Sequence, residues 1–284
     1  MCRLFGAAAS APVDISFELL GADNPLIRQS ERHDSGWGIA YYAGEEPHVE
    51  RFAHAAYGDP SFTEAARAES RLFVVHVRRA TVGGLKLNNT HPFLRDRFTY
   101  CHNGTILKPA KLRELSDRSP VGDTDSELFF NVLMTMLDPD DVVESLRRTV
   151  EAVCDRCSFS ALNFLFCDGK SLYAYRFGLY KLFSLVRSLD LDADTRTHYH
   201  LHLAPHGEHV VLVSSEKLTE DEPWSEFGQD ELMICDPNDP DNPRVINLLG
   251  ERAAEIEFVP VDAIESLSGD ARGEWAAQRA AAGI

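Results

Sequence analysis

Apolar and aromatic residues gather in short runs along the chain: Trp37 to Tyr42, Leu72 to Val77, Phe98 to Cys101, Ala161 to Phe166, Leu172 to Tyr175 and Val210 to Val213. The runs are rich in Val, Tyr and Phe and are bounded by Gly, Asp and Asn, the pattern of β-strands between turns. Two mid-chain stretches repeat at three and four residues instead. Ser126 to Leu137 lines up Leu128, Phe129, Val132, Leu133 and Met136, and Val142 to Val153 lines up Val143, Leu146, Val150 and Val153, which predicts two amphipathic helices. Thr124 and Glu127 form a T-x-x-E capping box that starts the first of them. A helix pair flanked by strands on both sides predicts a layered α/β arrangement, not a βαβ repeat.

Composition narrows the function classes. The 284 residues carry 28 Lys+Arg against 45 Asp+Glu, a formal net charge of −17, with 44% hydrophobic residues. That balance is globular and opposes binding to nucleic acid or to an anionic membrane, both of which need a surplus of Lys and Arg. Small molecules or proteins are the expected partners. Nine of the acidic residues and no Lys or Arg fall in residues 218–243, which end in the turn-rich run Asp236 to Pro243, so a loop-rich acidic surface is expected there, suited to docking a basic partner. Glu274 to Ala282 is Ala-rich and predicts a helix. With no internal repeat and no long linker, residues 1–284 are expected to form a single domain, with a motif-bearing core at 2–127 and a C-terminal elaboration at 218–284.

No run approaches the roughly 18 to 20 apolar residues of a membrane-spanning helix. The apolar stretch from Leu4 to Ala9 is also too short for the core of a secretory signal. Six unevenly spaced cysteines do not make a disulfide framework, so reduced thiols and a cytoplasmic location are expected.

Several residues could carry chemistry. Loss of Met1 would leave Cys2 with a thiol and a free α-amine, whose ordinary pKa of about 7.7 to 8.0 suits a general base; a buried small hydrophobe at a chain start is the plain alternative. His102-Asn103-Gly104 follows a strand, where Asn-Gly reads as a tight hairpin or as a carboxamide plus a backbone N–H for an oxyanion. His76-Val77-Arg78-Arg79-Ala80-Thr81 ends another strand with an arginine fork suited to a carboxylate or to a structural ion pair. Acids in Gly122 to Glu127 fit a helix cap, and one beyond that need could bind an ammonium. His198, His200 and His202 alternate, with His206 and His209 behind them, so a metal site or a solvated strand face is open there. The lone Cys154-x-x-Cys157 reads as structural, and no phosphate-binding loop or dinucleotide fingerprint is present.

Taken together, Met1-Cys2-Arg3-Leu4-Phe5-Gly6, Asp34-Ser35-Gly36-Trp37-Gly38, His76 to Thr81, Asn89-Thr90-His91-Pro92-Phe93, His102-Asn103-Gly104 and Asp123 to Glu127 resemble, in order, the motifs of class II glutamine amidotransferases. The resemblance extends at lower specificity through Leu165 to Gly169 and Val213 to Glu216. It implies an α+β fold, the four-layer α/β/β/α sandwich of N-terminal-nucleophile hydrolases. It implies Cys2 as nucleophile with its own amine as base, and Asn103 with the Gly104 N–H as oxyanion hole. Arg78 would hold the α-carboxylate of glutamine, Asp125 its α-ammonium, with Thr81 a further substrate contact. Arg79 departs from the aromatic residue common in synthase members. No metal or cofactor is implied, and 284 residues leave no room for a fused synthase domain, so any ammonia acceptor would be a separate partner. The alternatives are a γ-glutamyl amide hydrolase acting on a larger thiol metabolite and a noncatalytic metal-binding module built on the 198–209 histidines.

Overall fold

A computed structural model of the chain describes residues 2–188 and 209–264. Strands β1 (Arg3–Val13), β2 (Gly36–Ala43), β3 (Glu46–Phe52) and β4 (Ser70–Arg78) belong to one sheet, while β5 (Phe93–Arg95), β6 (Phe98–Asn103), β7 (Asn163–Cys167) and β8 (Leu172–Arg176) belong to a second. β9 (Phe183–Ser188), β10 (His209–Ser214) and β11 (Ser225–Glu226) return to the first sheet, and β12 (Glu231–Cys235) and β13 (Arg244–Asn247) to the second. The orders are β11-β9-β10-β1-β4-β2-β3 and β13-β12-β8-β7-β6-β5, with antiparallel pairing throughout. Helices α1 (Leu26–Gln29), α2 (Pro60–Ala65), α3 (Asp125–Met136) and α4 (Val142–Arg156) cover the outer faces.

The packing has three apolar layers. Phe129, Leu133, Leu146 and Val150 of α3 and α4 bury Tyr100, Phe164, Phe166 and Tyr175 of the second sheet. Leu26 of α1 and Phe62 of α2 bury Phe5, Trp37, Phe73 and Val75 of the first. Between the sheets, Leu4, Ala8 and Val74 meet Cys101, Leu165 and Ala174. The arrangement is therefore a four-layer α/β/β/α sandwich, the fold that the sequence resemblance implies.

β1 lies near the middle of its sheet, between β10 and β4, and is buried on both faces. Its run Leu-Phe-Gly-Ala-Ala-Ala therefore shows no polar alternation, which is why the pattern of the sequence does not reveal it. The Ala161 to Phe166 run starts as a strand only at Asn163, and α3 begins at Asp125. The capping box forms by half. The Thr124 hydroxyl accepts from the Glu127 N–H at 3.2 Å, but the Glu127 carboxylate turns to the N–H groups of Val121 and Gly122, both at 2.7 Å. Those loop donors would otherwise lack an acceptor, so the carboxylate satisfies them rather than the helix start.

The acidic stretch is less open than its composition suggests. β12 runs through it, because Leu232, Met233 and Cys235 are buried against β8. Buried Asp230 accepts from the Tyr175 hydroxyl at 2.7 Å and from the Leu249 and Gly250 N–H groups. Glu222 and Glu18 both grip buried Arg187, at 2.8 and 2.7 Å. His198, His200, His202 and His206 lie outside the described residues, as does Glu274 to Ala282. His209 contacts Asp241 at 2.7 Å. Among the described residues no His/Cys/Asp/Glu group is arranged to hold a metal, and no helix is long and apolar enough to cross a membrane.

Buried Arg187 of β9 is shared by two carboxylates, and removing one partner of a buried ion pair costs about 3–5 kcal/mol. Arg187→Met should lower the urea-unfolding free energy by that order, and adding Glu18→Gln and Glu222→Gln should recover part of it.

Candidate active site

The site forms where the end of β4, the start of β1 and the end of β6 converge. Arg3 pairs with Val77 in the β1–β4 ladder, so Cys2 falls beside Arg78, the last residue of β4. The Cys2 nitrogen donates to the Asn103 side-chain oxygen at 3.0 Å. Since an N–H requires the amide oxygen on its side, the Asn103 NH2 group is turned away from it. The Cys2 sulfur sits on the backbone of Arg79, 3.4 Å from its N–H and 3.5 Å from its carbonyl oxygen. A single contact thus ties the proposed nucleophilic residue on one sheet to the proposed oxyanion residue on the other.

Strand alternation explains the aim of Asn103. Cys101 faces the layer between the sheets, so Asn103 does too, while Tyr100 and His102 face α3. Buried His102 bridges the Ser126 hydroxyl at 2.9 Å and the Ala161 carbonyl at 3.2 Å. A carbonyl only accepts, so Nε2 carries the proton and Nδ1 accepts from Ser126; burial keeps the ring neutral, with its pKa pushed down to about 4. The two-residue hairpin reading of Asn103-Gly104 does not hold, because β6 runs on into the loop before α3. Glycine is required there by proximity: a Cβ on residue 104 would lie 1.9 Å from the Ala161 oxygen.

Arg78 is buried, and its guanidinium donates to the carbonyls of Val82 and Gly84 at 2.9 and 3.0 Å. Asn89 ties this loop to the next one, donating to Gly84 O at 3.0 Å and accepting from the Asp123 N–H at 2.9 Å. Lys86 reaches Asp123 at 3.1 Å. Asp125, at the first turn of α3, accepts from the Ile106 N–H at 2.7 Å. Thr81 stands 3.4 Å from the Thr105 hydroxyl. The structure thus gathers Cys2, Arg78, Asn103, Gly104 and Asp125 at one end of the gap between the sheets, with Thr81 on the loop that Arg78 holds.

Burial governs the titration of these groups. It pushes the Cys2 thiol up, with the N-terminal charge, the Arg79 N–H and Arg78 pulling the other way, so the sulfur needs a base to become a thiolate at neutral pH. Burial raises Asp125 to about 6 against the N–H donors around it, and lowers Arg78 against Cys2, Asp123 and Asp125.

Three features escape the sequence motifs. The Arg79 backbone cradles the sulfur, so the departure of its side chain from the synthase pattern leaves that contact intact. Arg3 donates to the Cys2 carbonyl at 3.2 Å and pairs with Glu216 at 2.9 Å. A cavity of about 300 Å³ is lined by Asn103, Arg3, Tyr180, Lys181, Ser215 and Glu216. Its lining comes from the turn after β10 and the loop between β8 and β9, on the side of β1 opposite β4 and Arg78.

The family model described as glutamine amidotransferases class-II matches residues 1–242. The chain belongs to that family. The uncharacterised protein MJ1515 of Methanocaldococcus jannaschii is 31% identical over 191 residues, 62% of this chain and 51% of its own, so the chain spans about half of that relative. YafJ of Escherichia coli K12, named as a candidate glutamine amidotransferase, is 27% identical over 261 residues, 82% of this chain and 97% of its own. The solved glutamine phosphoribosylpyrophosphate amidotransferase of B. subtilis superposes with a TM-score of 0.61 at 16% identity, over 87% of this chain and 49% of that one, a likeness of fold.

In this amidotransferase chain the carboxylate of Asp125 is held against its solvation preference. Its folded value of about 6 lies above the ordinary 3.8, so the folded state binds the proton more tightly and stability falls as pH rises between the two. At pH 7 that cost is fully present. Asp125→Asn should therefore raise Tm at pH 7 by about 2–5 °C, and the gain should vanish near pH 4; calorimetry at both pH values checks it.

Proposed function

We propose that the chain hydrolyses the γ-amide of glutamine through Cys2 after removal of Met1. The observation that supports this most is the 3.0 Å bond between the Cys2 nitrogen and Asn103, which places thiol, amine and carboxamide in one cluster. An amino-acid zwitterion needs one cationic and one anionic anchor, and Arg78 and Asp125 are the buried pair that offers both. Holding the two ends directs the γ-carboxamide to the sulfur.

The amine takes the thiol proton, directly or through water, and the sulfur attacks the amide carbon. The C=O pair moves onto oxygen, and the oxyanion is stabilised by the Asn103 NH2 and the Gly104 N–H. The ammonium returns its proton to the amide nitrogen, the C–N bond breaks, and ammonia leaves a γ-glutamyl thioester. Water, deprotonated by the same amine, attacks the thioester; the C–S bond breaks and glutamate and the thiol are restored. Ammonia is released or received by a separate acceptor protein.

One observation favours a second substrate class. The cavity of about 300 Å³ beside Asn103 offers space beyond the scissile nitrogen, which ammonia alone does not need. A γ-glutamyl amide carrying a group on that nitrogen would use it, whether or not the group bears a thiol.

Cys2→Ala should abolish glutamate release from glutamine while leaving the melting curve intact; retained activity would remove the nucleophile. Asn103→Ala should lower kcat by about 10²- to 10³-fold. The kcat/KM profile should fall below about pH 6, because Asp125 loses its charge as pH drops through that value and with it the hold on the α-ammonium. Parallel assays of glutamine and N-substituted γ-glutamyl amides, with glutamate and released amine both quantified, decide between the substrate classes.

A further inference from the structure

Arg3 is the residue next to the nucleophile, and its guanidinium is fully engaged on that side of the site. Nε donates to the Gln29 side chain at 2.7 Å, one terminal nitrogen donates to the Cys2 carbonyl at 3.2 Å, and the other pairs with Glu216 at 2.9 Å. The side chain is 16% exposed, while Glu216 is 40% exposed. Gln29 is itself fixed, since its amide donates to the Asn24 carbonyl at 2.9 Å and its backbone carbonyl receives His33 at 2.7 Å. Three segments, β1, α1 and the turn after β10, thus place a cation against the carbonyl of the residue whose nitrogen is to act as base.

We propose that Arg3 is a positioning residue: clamped between the Cys2 carbonyl, Gln29 and Glu216, it keeps the α-amine freed by Met1 removal in its proton-accepting form. The inference rests on the reading of Cys2 as an N-terminal nucleophile and goes beyond it. A neighbouring positive charge disfavours an ammonium, and a hydrogen bond to the adjacent carbonyl withdraws electron density from the same group. The other charged and titratable groups around Cys2 and Arg3 are Arg78 and Arg79 from the end of β4, Asp125 from α3, His33 from the turn after α1 and Glu216 from the turn after β10. His33 is pushed down to about 4 by burial and is neutral at working pH, so the balance is three guanidinium groups against two carboxylates. Of the three, Arg3 is the one bonded to Cys2 through its side chain, and Glu216 sets how much of its charge the amine feels.

This makes a prediction that a structural role does not. Arg3→Gln and Glu216→Gln break the same ion pair, so if the pair only braces the fold they should act alike. If the pair sets the charge at the amine they should act oppositely. The measurement is the acid limb of kcat with saturating glutamine, where bound substrate holds Asp125 ionised and the limb reports the base. Arg3→Gln should move that limb up by about 0.5 to 1 pH unit and Glu216→Gln should move it down, with Arg3→Lys restoring most of the wild-type profile. Shifts of the same sign, or activity lost without a shift, overturn the proposal. Should Arg3→Gln fail to fold by its melting curve, the downward shift in Glu216→Gln and the profile of Arg3→Lys still decide it. Activity that survives Cys2→Ala, or active protein whose intact mass retains Met1, overturns the nucleophile reading instead and this inference with it.

Discussion

One hydrogen bond sets the geometry of this protein: the Cys2 nitrogen on Asn103, joining residues 101 positions apart on two different sheets. It can form only if the two sheets keep a close separation at the end where β1 begins and β6 stops, and the small side chains between them make that separation possible. Ala8, Ala40, Ala174, Cys101 and Cys167 share the layer with leucines and valines. A larger residue at any of these positions would act on the site through the sheet spacing, without touching substrate.

The charges at the site obey a different logic from those on the surface. Arg147 with Glu144 and Glu151 on α4 is an exposed cluster of the kind that contributes little. Arg78 and Asp125 are buried, and each is held partly by backbone groups: carbonyls of the Val82 to Gly84 loop for the cation, the Ile106 N–H for the anion. Backbone donors and acceptors fix the direction of each head group while leaving its formal charge uncancelled. Such charges are poor for stability and suited to a zwitterionic ligand.

Much of the fold was legible in the sequence, and the reasons are local. β2, β4, β6, β8 and β10 stand out because aromatic and β-branched residues end at Gly, Asp or Asn, and α3 and α4 because one face of each is apolar. β1 was not legible, since both its faces are buried and its small residues carry no period. β12 was hidden by the acidic residues around it, of which Asp230 turns inward to bind backbone N–H groups. Near the candidate site, the motifs name Cys2, Arg78, Asn103, Gly104 and Asp125, which the fold brings together, but why Gly104 is glycine depends on Ala161, 57 residues later and unmarked by any motif. Glu127 shows the same limit: its spacing from Thr124 is right for a capping box, and its carboxylate serves the loop before the helix.

The central place of β1 also has a temporal side. As the chain is made, β1 emerges before either of its neighbours, since β4 and β10 begin at residues 70 and 209. Both partners are distant in sequence, so closing the seven-stranded sheet carries the slow kinetics of non-local pairing. Until β10 arrives, one edge of an apolar strand has no partner, and an Ala-rich edge of that kind is open to pairing with another chain. The strand that follows Cys2 thus gains its second neighbour late, and the cluster of Cys2 and Asn103 is not braced on both sides until the chain has paired across some 200 residues.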